Sequence, residues 1–233
     1  MLQPDNRSES YSPPTEEFVV VNDRPVPPQG SRAWMIQRRR FQISLLEFGK
    51  QAFELFQGVP YVHGKHIEVL TKYLEALAKK KIKNLLAGIP PSHSKSSWLN
   101  VILPVWTWTT NPKARFACYC YDETLGKRDH FACRDLIKSP WFQHYFPEVQ
   151  LKFGSINSEQ FELESGGWRL RSQPGAGMST GLHPDYKLID DPCNREMAES
   201  KANRESLSRW FFETMPTRGI GRDAVTALSM QPF

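Results

Sequence analysis

Apolar residues recur along this chain at two different spacings, and the points where the spacing changes mark its elements. From Ile43 the apolar positions Leu46, Phe53 and Phe56 keep helical intervals until Gly58-Val59-Pro60 breaks the run. A second helix is expected over residues 64–80, with Ile67, Leu70, Leu74 and Leu77 on one face. Lys79-Lys80-Lys81 enrich its C-terminus in positive charge, as the helix dipole favours. Residues 96–108 are apolar on nearly every side, which predicts a helix buried between layers, with Pro104 kinking it or sitting where a bond is missing.

Residues 115–121 then read as a strand, and Asp122 caps a helix that carries Lys127, Arg128 and Arg134 and ends before Ser139-Pro140. Residues 161–163 and 168–170 form a candidate hairpin about Gly166-Gly167, and residues 173–184 read as loop. Tyr186-Lys187-Leu188-Ile189 is a short strand running into Asp190-Asp191. A long charged helix over residues 195–215 should turn Leu207, Trp210 and Phe211 inward, and residues 224–229 close with another buried strand. Strands alternating with helices predict an α/β fold, with a mostly parallel central sheet and helices on both faces.

The first 30 residues carry a different pattern, rich in Ser, Pro, Asn and Glu, with Pro13-Pro14 and Pro27-Pro28. They are expected to form a flexible tail, disordered or draped over the domain, because they lack the apolar content to offset ordering entropy. Arg38-Arg39-Arg40 follows and reads as a solvated face. Residues 31–233 then form one domain, with two N-terminal helices over 43–80 and a core over 84–233. With 233 residues, 39% hydrophobic and 24% charged, the chain has enough apolar content for one sizeable core.

Charge and cysteine usage narrow the class. The net charge of +5 and the pI of about 9.0 admit an acidic polymer as partner. The longest apolar stretch, residues 98–108, contains Asn100 and Pro104 and falls short of the ~20 residues that span a bilayer, so no membrane partner is expected. No basic-then-apolar segment opens the chain, so secretion is not expected. Cys118, Cys120, Cys133 and Cys193 match no zinc spacing and read as reduced core thiols of a cytosolic protein.

The chemistry concentrates where the apolar run Asn84-Leu85-Leu86-Ala87-Gly88 meets Ile89-Pro90-Pro91-Ser92-His93-Ser94-Lys95-Ser96-Ser97. A strand, a loop of small residues, Lys-Ser and a helix make the layout of a phosphate-binding loop. Backbone N–H groups and a helix N-terminus then face a polyphosphate. Nucleotide contacts fall to Pro91, Ser92, His93, Ser94, Lys95, Ser96 and Ser97, with Lys95 reaching the outer phosphates and Ser96 ligating Mg2+. Ile89 and Ser94 stand where the usual pattern has glycine.

A phosphate loop needs carboxylates facing it, and Asp190 and Asp191 end a short strand at the matching sheet edge. Asp190 is assigned to Mg2+ and Asp191 to polarising the attacking water; the other reading of Asp-Asp-Pro is a solvent-exposed turn. Arg115, Arg128 and Arg134 are open candidates for stabilising transition-state charge. Residues 61–66 either approach a nucleotide base or serve as a structural loop.

In order, the chain carries Tyr61-Val62-His63-Gly64, the Asn84 to Ser97 loop, Ser139-Pro140-Trp141-Phe142, Thr180-Gly181 and Leu188-Ile189-Asp190-Asp191-Pro192. Glu199-Ser200, Arg204, Trp210, Thr217-Arg218 and Met230-Gln231 follow. This order resembles the ATPase domain of the large terminase subunit of tailed bacteriophages, from about residue 43 onward. The resemblance implies a P-loop NTPase fold of the additional-strand (ASCE) type with an N-terminal helical segment, ATP and Mg2+ as cofactors, and ATP-driven translocation of double-stranded DNA into a procapsid.

It further implies a portal protein and a small terminase subunit as partners, a homo-oligomeric ring (a pentamer) on the procapsid, and action in the host cell cytoplasm. Lys95, Ser96, Asp190 and Asp191 match the family's phosphate-loop, magnesium and catalytic positions. Ser229 and Gln231 match its coupling motif, and Arg128 resembles a position that acts across a subunit interface. Two departures stand out. Many relatives have glycine where this chain has Ser92 and Ser94, which predicts a loop that either avoids positive φ or is strained without ligand. Large terminases also continue into a nuclease domain, and the sequence stops at Phe233, so the expectation is an ATPase domain alone, without DNA cutting. Other readings are a different nucleic-acid-dependent P-loop ATPase, helicase-like, or a non-catalytic module holding DNA or phosphate.

Overall fold

The computed structural model describes residues 18–175, 183–215 and 224–231. An antiparallel ribbon opens it, β1 (Val19–Val21) and β2 (Arg24–Val26), turned at Asn22 and Asp23 with φ of 52° and 59°. Asn22 Oδ1 accepts from the Trp141 N–H at 2.8 Å, Arg24 pairs with Glu54 at 2.7 Å, and Val26 is buried. The described end of the expected tail is therefore folded onto the domain.

Three helices follow where the sequence predicted two. Helix α1 (Arg32–Ile43) is capped by Ser31, α2 (Leu45–Gln57) by Ser44, and α3 (Lys65–Ala78) starts after Gly64. Sequence periodicity missed α1 because it buries only Trp34 and Phe41, two turns apart, and the basic run between them hides the face. Arg38 in that run is not simply solvated: its guanidinium lies 5.2 Å from the Trp34 ring centroid and 5.4 Å from that of Phe146. Ser44 and Glu47 make the capping pattern that restarts the chain as α2, and Gly58 ends it at φ 68°.

Among the described residues the central sheet has six strands. Strand β3 (Asn84–Gly88) leads into a helical stretch that begins as a π turn (Ser97–Ile102) and continues as α4 (Leu103–Trp108). Pro104 has no N–H to give the Asn100 carbonyl, and Arg169 Nη2 donates to that oxygen at 3.3 Å. Strand β4 (Arg115–Cys120), α5 (Glu123–Lys138) and α6 (Pro140–Tyr145) come next, then the antiparallel pair β5 (Gln160–Glu162) and β6 (Trp168–Ser172). After β7 (Tyr186–Asp190) the expected single helix is two, α7 (Arg195–Glu199) and α8 (Lys201–Arg209), followed by a π turn (Trp210–Thr214). The break falls at Ser200, whose backbone is extended (φ −79°, ψ 121°) and whose hydroxyl caps α8.

Strand β8 (Val225–Met230) completes the order β3-β8-β7-β4-β6-β5, parallel except for β5. Side chains alternate across β4. Phe116 and Cys118 join the aromatic core made with α1 to α6, whereas Ala117 and Tyr119 pack with Leu207, Trp210, Phe211 and Met215 on the other face. The chain is thus an α/β fold with a mixed sheet and helices flanking it, and β8 lies between β3 and β7. Among the described residues no helix is long and apolar enough to cross a membrane.

Candidate functional site

Strands β3, β7 and β8 point their C-terminal ends to one edge of the sheet, because all three run parallel. The loop after β3 is tied at its start by the Ile89 N–H to the Met230 carbonyl, 3.2 Å. Ser92 and Ser94 both take positive φ, 63° and 60°. The strained alternative is the one realised: the chain holds serine where the backbone conformation suits glycine. The Ser94 carbonyl accepts from the Trp98 N–H at 3.2 Å, so the helix opens here and its first N–H groups are free of helical partners.

The lysine that follows does not reach into solvent. Lys95 is 5% exposed, and its Nζ donates to Asp191 Oδ2 and, at 3.4 Å, to Asp190 Oδ1. Asp190 is 3% exposed. Burial pushes its carboxyl up from the ordinary aspartate range, and Lys95 and the Ser96 hydroxyl pull against that. Asp191 sits at φ 41°, its N–H donates to the Ser229 carbonyl at 2.9 Å, and its Oδ1 accepts from the Gln231 N–H at 3.1 Å. Lys95, Ser96, Asp190, Asp191, Ser229 and Gln231 therefore meet at one place.

Behind them lies a buried polar layer. Asn100 Nδ2 donates to Asp190 Oδ2 at 3.2 Å and to Asp129 Oδ2 at 3.3 Å. Arg169, 1% exposed, donates from Nη1 to His130 Nδ1 at 2.8 Å. Burial first, then the neighbouring guanidiniums, push the His130 imidazole down to about 3, so it is neutral and able to accept. Among the described residues Asn100 Oδ1 and Ser229 Oγ are buried without a hydrogen-bond partner. Sequence reasoning noted Asn100 only as an interruption of an apolar run, and it missed Asp129, His130 and Arg169. A polar side chain at a helix position otherwise buried all round was the available signal.

Other expected residues stand elsewhere. Arg128 is on α5 with its side chain 56% exposed, and its Nε and Nη2 both donate to Asp129 Oδ1, at 2.9 and 2.7 Å. Arg115 opens β4, at the opposite sheet edge, and pairs with Asp185; Arg134 pairs with Asp135. Ser97 is buried and its hydroxyl accepts from Gln57 Nε2 at 3.0 Å. His93 Nδ1 bonds the Pro91 carbonyl at 2.8 Å, and its ring meets His66 edge-on at 5.2 Å. Residues 61–66 come up against the loop: Tyr61, His63 and His66 line a cleft of about 320 Å³ together with Ser92, His93 and Ser94. Thr180-Gly181 and Thr217-Arg218 lie outside the described residues.

Among the described residues no three His, Cys, Asp or Glu side chains converge on a metal position. The donor set of Ser96 and Asp190 nevertheless suits Mg2+, which takes one or two protein oxygens and completes its shell with phosphate and water.

No protein-family model matches the chain, and no curated protein matches it. Among solved structures it is similar to the crystal structure of the HK97 bacteriophage large terminase, with a TM-score of 0.48 and 9% identity. The match covers 73% of this chain and 33% of that one, so the chain spans about a third of that protein's length.

Proposed function

We propose that this chain is a Mg2+-dependent ATPase domain of the P-loop, additional-strand type, acting in a DNA-packaging motor of the large-terminase kind. One observation carries the reading. Lys95 and Ser96 after β3 meet Asp190 and Asp191, the last residue of β7 and the one that follows it, at a single sheet edge, with β8 between the two strands. The turn alternative for Asp190 fits poorly with a carboxylate 3% exposed against a buried ammonium.

The residues then divide the work. The loop N–H groups and the helix N-terminus receive the phosphates, and the cleft beside Tyr61 and His66 is the adjoining space for base and sugar. Mg2+, held by Ser96 and Asp190, would supply neutralising charge at the outer phosphates. Lys95 exchanges its bond to Asp191 for phosphate oxygens, and Asp191 is thereby released to accept a proton from water. The water oxygen bonds to the γ-phosphorus, the bond from that phosphorus to the β–γ bridging oxygen breaks, and ADP leaves. Ser229 and Gln231, bonded to Asp191 through their backbones, would carry the change into β8.

Double-stranded DNA, a portal protein, a small subunit, a pentameric ring with Arg128 acting across its interfaces, and the host cytoplasm come to this chain through the order of its motifs. Steady-state ATP hydrolysis with and without double-stranded DNA is the test. Lys95→Ala and Asp191→Asn should each abolish DNA-stimulated turnover in a folded chain, and near-normal turnover in either would remove the proposal.

A further inference from the structure

The polar layer behind the site has one member that touches two buried carboxylates at once. Asn100 projects from the π turn after the phosphate loop and is 3% exposed. Its single amide nitrogen donates to Asp190 Oδ2 at 3.2 Å and to Asp129 Oδ2 at 3.3 Å. The orientation is forced, because turning the amide over would set its oxygen against two carboxylates. That leaves Asn100 Oδ1 buried with no hydrogen-bond partner among the described residues, an arrangement that costs free energy and persists only if the donor end is needed.

Asp129 is itself held from outside. Its Oδ1 accepts from Nε and Nη2 of the exposed Arg128, and its Oδ2 fixes Asn100. Asp190 Oδ1 meanwhile faces Lys95. Each oxygen of Asp190 is thus assigned: one to the loop lysine, the other to an amide steered by α5.

We propose that Asn100 is a positioning residue that orients the Asp190 carboxylate for a divalent cation, and that Asp129 sets the angle of its amide. The inference rests on the ATPase reading and adds residues to it that no motif named. It also explains the polar position inside an otherwise apolar helix: a leucine there would pack, but Asp190 would lose the donor that fixes its plane.

The test is equilibrium ATP binding by calorimetry, with Mg2+ and with EDTA, on the wild-type chain, Asn100→Leu and Asp129→Ala. The metal-dependent gain in affinity should fall about tenfold in Asn100→Leu, the scale for removing a partner that orients a metal ligand, with affinity in EDTA unchanged. Asp129→Ala should lose about threefold, and the double variant no more than Asn100→Leu alone, since both act through one amide. Asp129→Ala keeps the test decisive if Asn100→Leu fails to fold. A full metal-dependent gain in the variants would overturn the inference while leaving the ATPase reading in place, as would an equal loss of affinity with and without metal. A folded wild-type chain that binds no ATP would overturn both.

Discussion

Replacing Ser92 and Ser94 by glycine should stabilise this chain, the reverse of what glycine does at most positions. Both serines sit at φ near +60°, where the Cβ crowds the following carbonyl at about 1–2 kcal/mol per residue. Glycine relieves that but makes the unfolded chain more flexible, at about 0.5–1 kcal/mol. The net gain is about 0.5–1 kcal/mol at each position. For a chain of this length 1 kcal/mol moves Tm by about 2–4 °C. Among the described residues neither hydroxyl has a hydrogen-bond partner, so nothing is lost with it.

Chemical unfolding followed by tryptophan fluorescence and far-UV circular dichroism measures the difference. Ser92→Ala and Ser94→Ala are the controls. They remove the hydroxyl but keep the Cβ, and should stay within about 0.5 kcal/mol of wild type, the range of an ordinary surface substitution. Because the two positions are neighbours, the double glycine variant need not equal the sum. Glycine variants that unfold more easily than the alanine variants would refute the reasoning.

Three further outcomes follow from packing and charge. A Cβ at Gly49 would lie 2.1 and 2.4 Å from ring atoms of the fully buried Trp98, so Gly49→Ala should destabilise by about 1–3 kcal/mol in the same unfolding assay. His130 is held near 3 in the fold against 6.5 when unfolded, so below about pH 6.5 the unfolded chain binds the extra proton. Stability should therefore fall on going from pH 6.5 to 5, at up to about 1.4 kcal/mol per unit, and His130→Gln should flatten that slope in Tm against pH. On the proposed ATPase reading, Asp191→Asn should eliminate ATP hydrolysis yet bind ATP·Mg2+ at least as tightly as wild type, because Lys95 no longer has Asp191 to hold it; calorimetry beside a phosphate-release assay checks both halves.

Much of the sheet was legible in the chain because its strands are short apolar runs closed by turn or cap residues. Tyr186-Lys187-Leu188-Ile189 ending on two aspartates, and Arg115 to Cys120 ending at the Asp122 cap, are read from local chemistry alone. Helix α1 was hidden because its tertiary contacts, Trp34 stacked with Tyr145 at 6.4 Å and Phe41 against Tyr145 at 5.0 Å, come from residues a hundred positions away. The break at Ser200 was missed because the charged run on either side keeps helical spacing, and only the cap geometry interrupts it.

At the site, spacing named the residues whose backbone carries them to the sheet edge: Lys95, Ser96, Asp190 and Asp191. It could not name Asp129 or Arg169, which belong to other elements and arrive by folding. Nor could it choose among the arginines. Only the fold sends Arg115 to the far edge and leaves Arg128 joined to the site through Asp129 and Asn100.

The most direct measurement is equilibrium binding of ATP·Mg2+ to the wild-type chain and to Lys95→Ala. If the loop and the aspartate pair form a nucleotide site, the wild-type chain binds one ATP. The variant binds at least about tenfold more weakly, the scale for losing a hydrogen bond from a charged donor. A folded wild-type chain that binds no ATP, or equal affinity in the two proteins, would contradict the account.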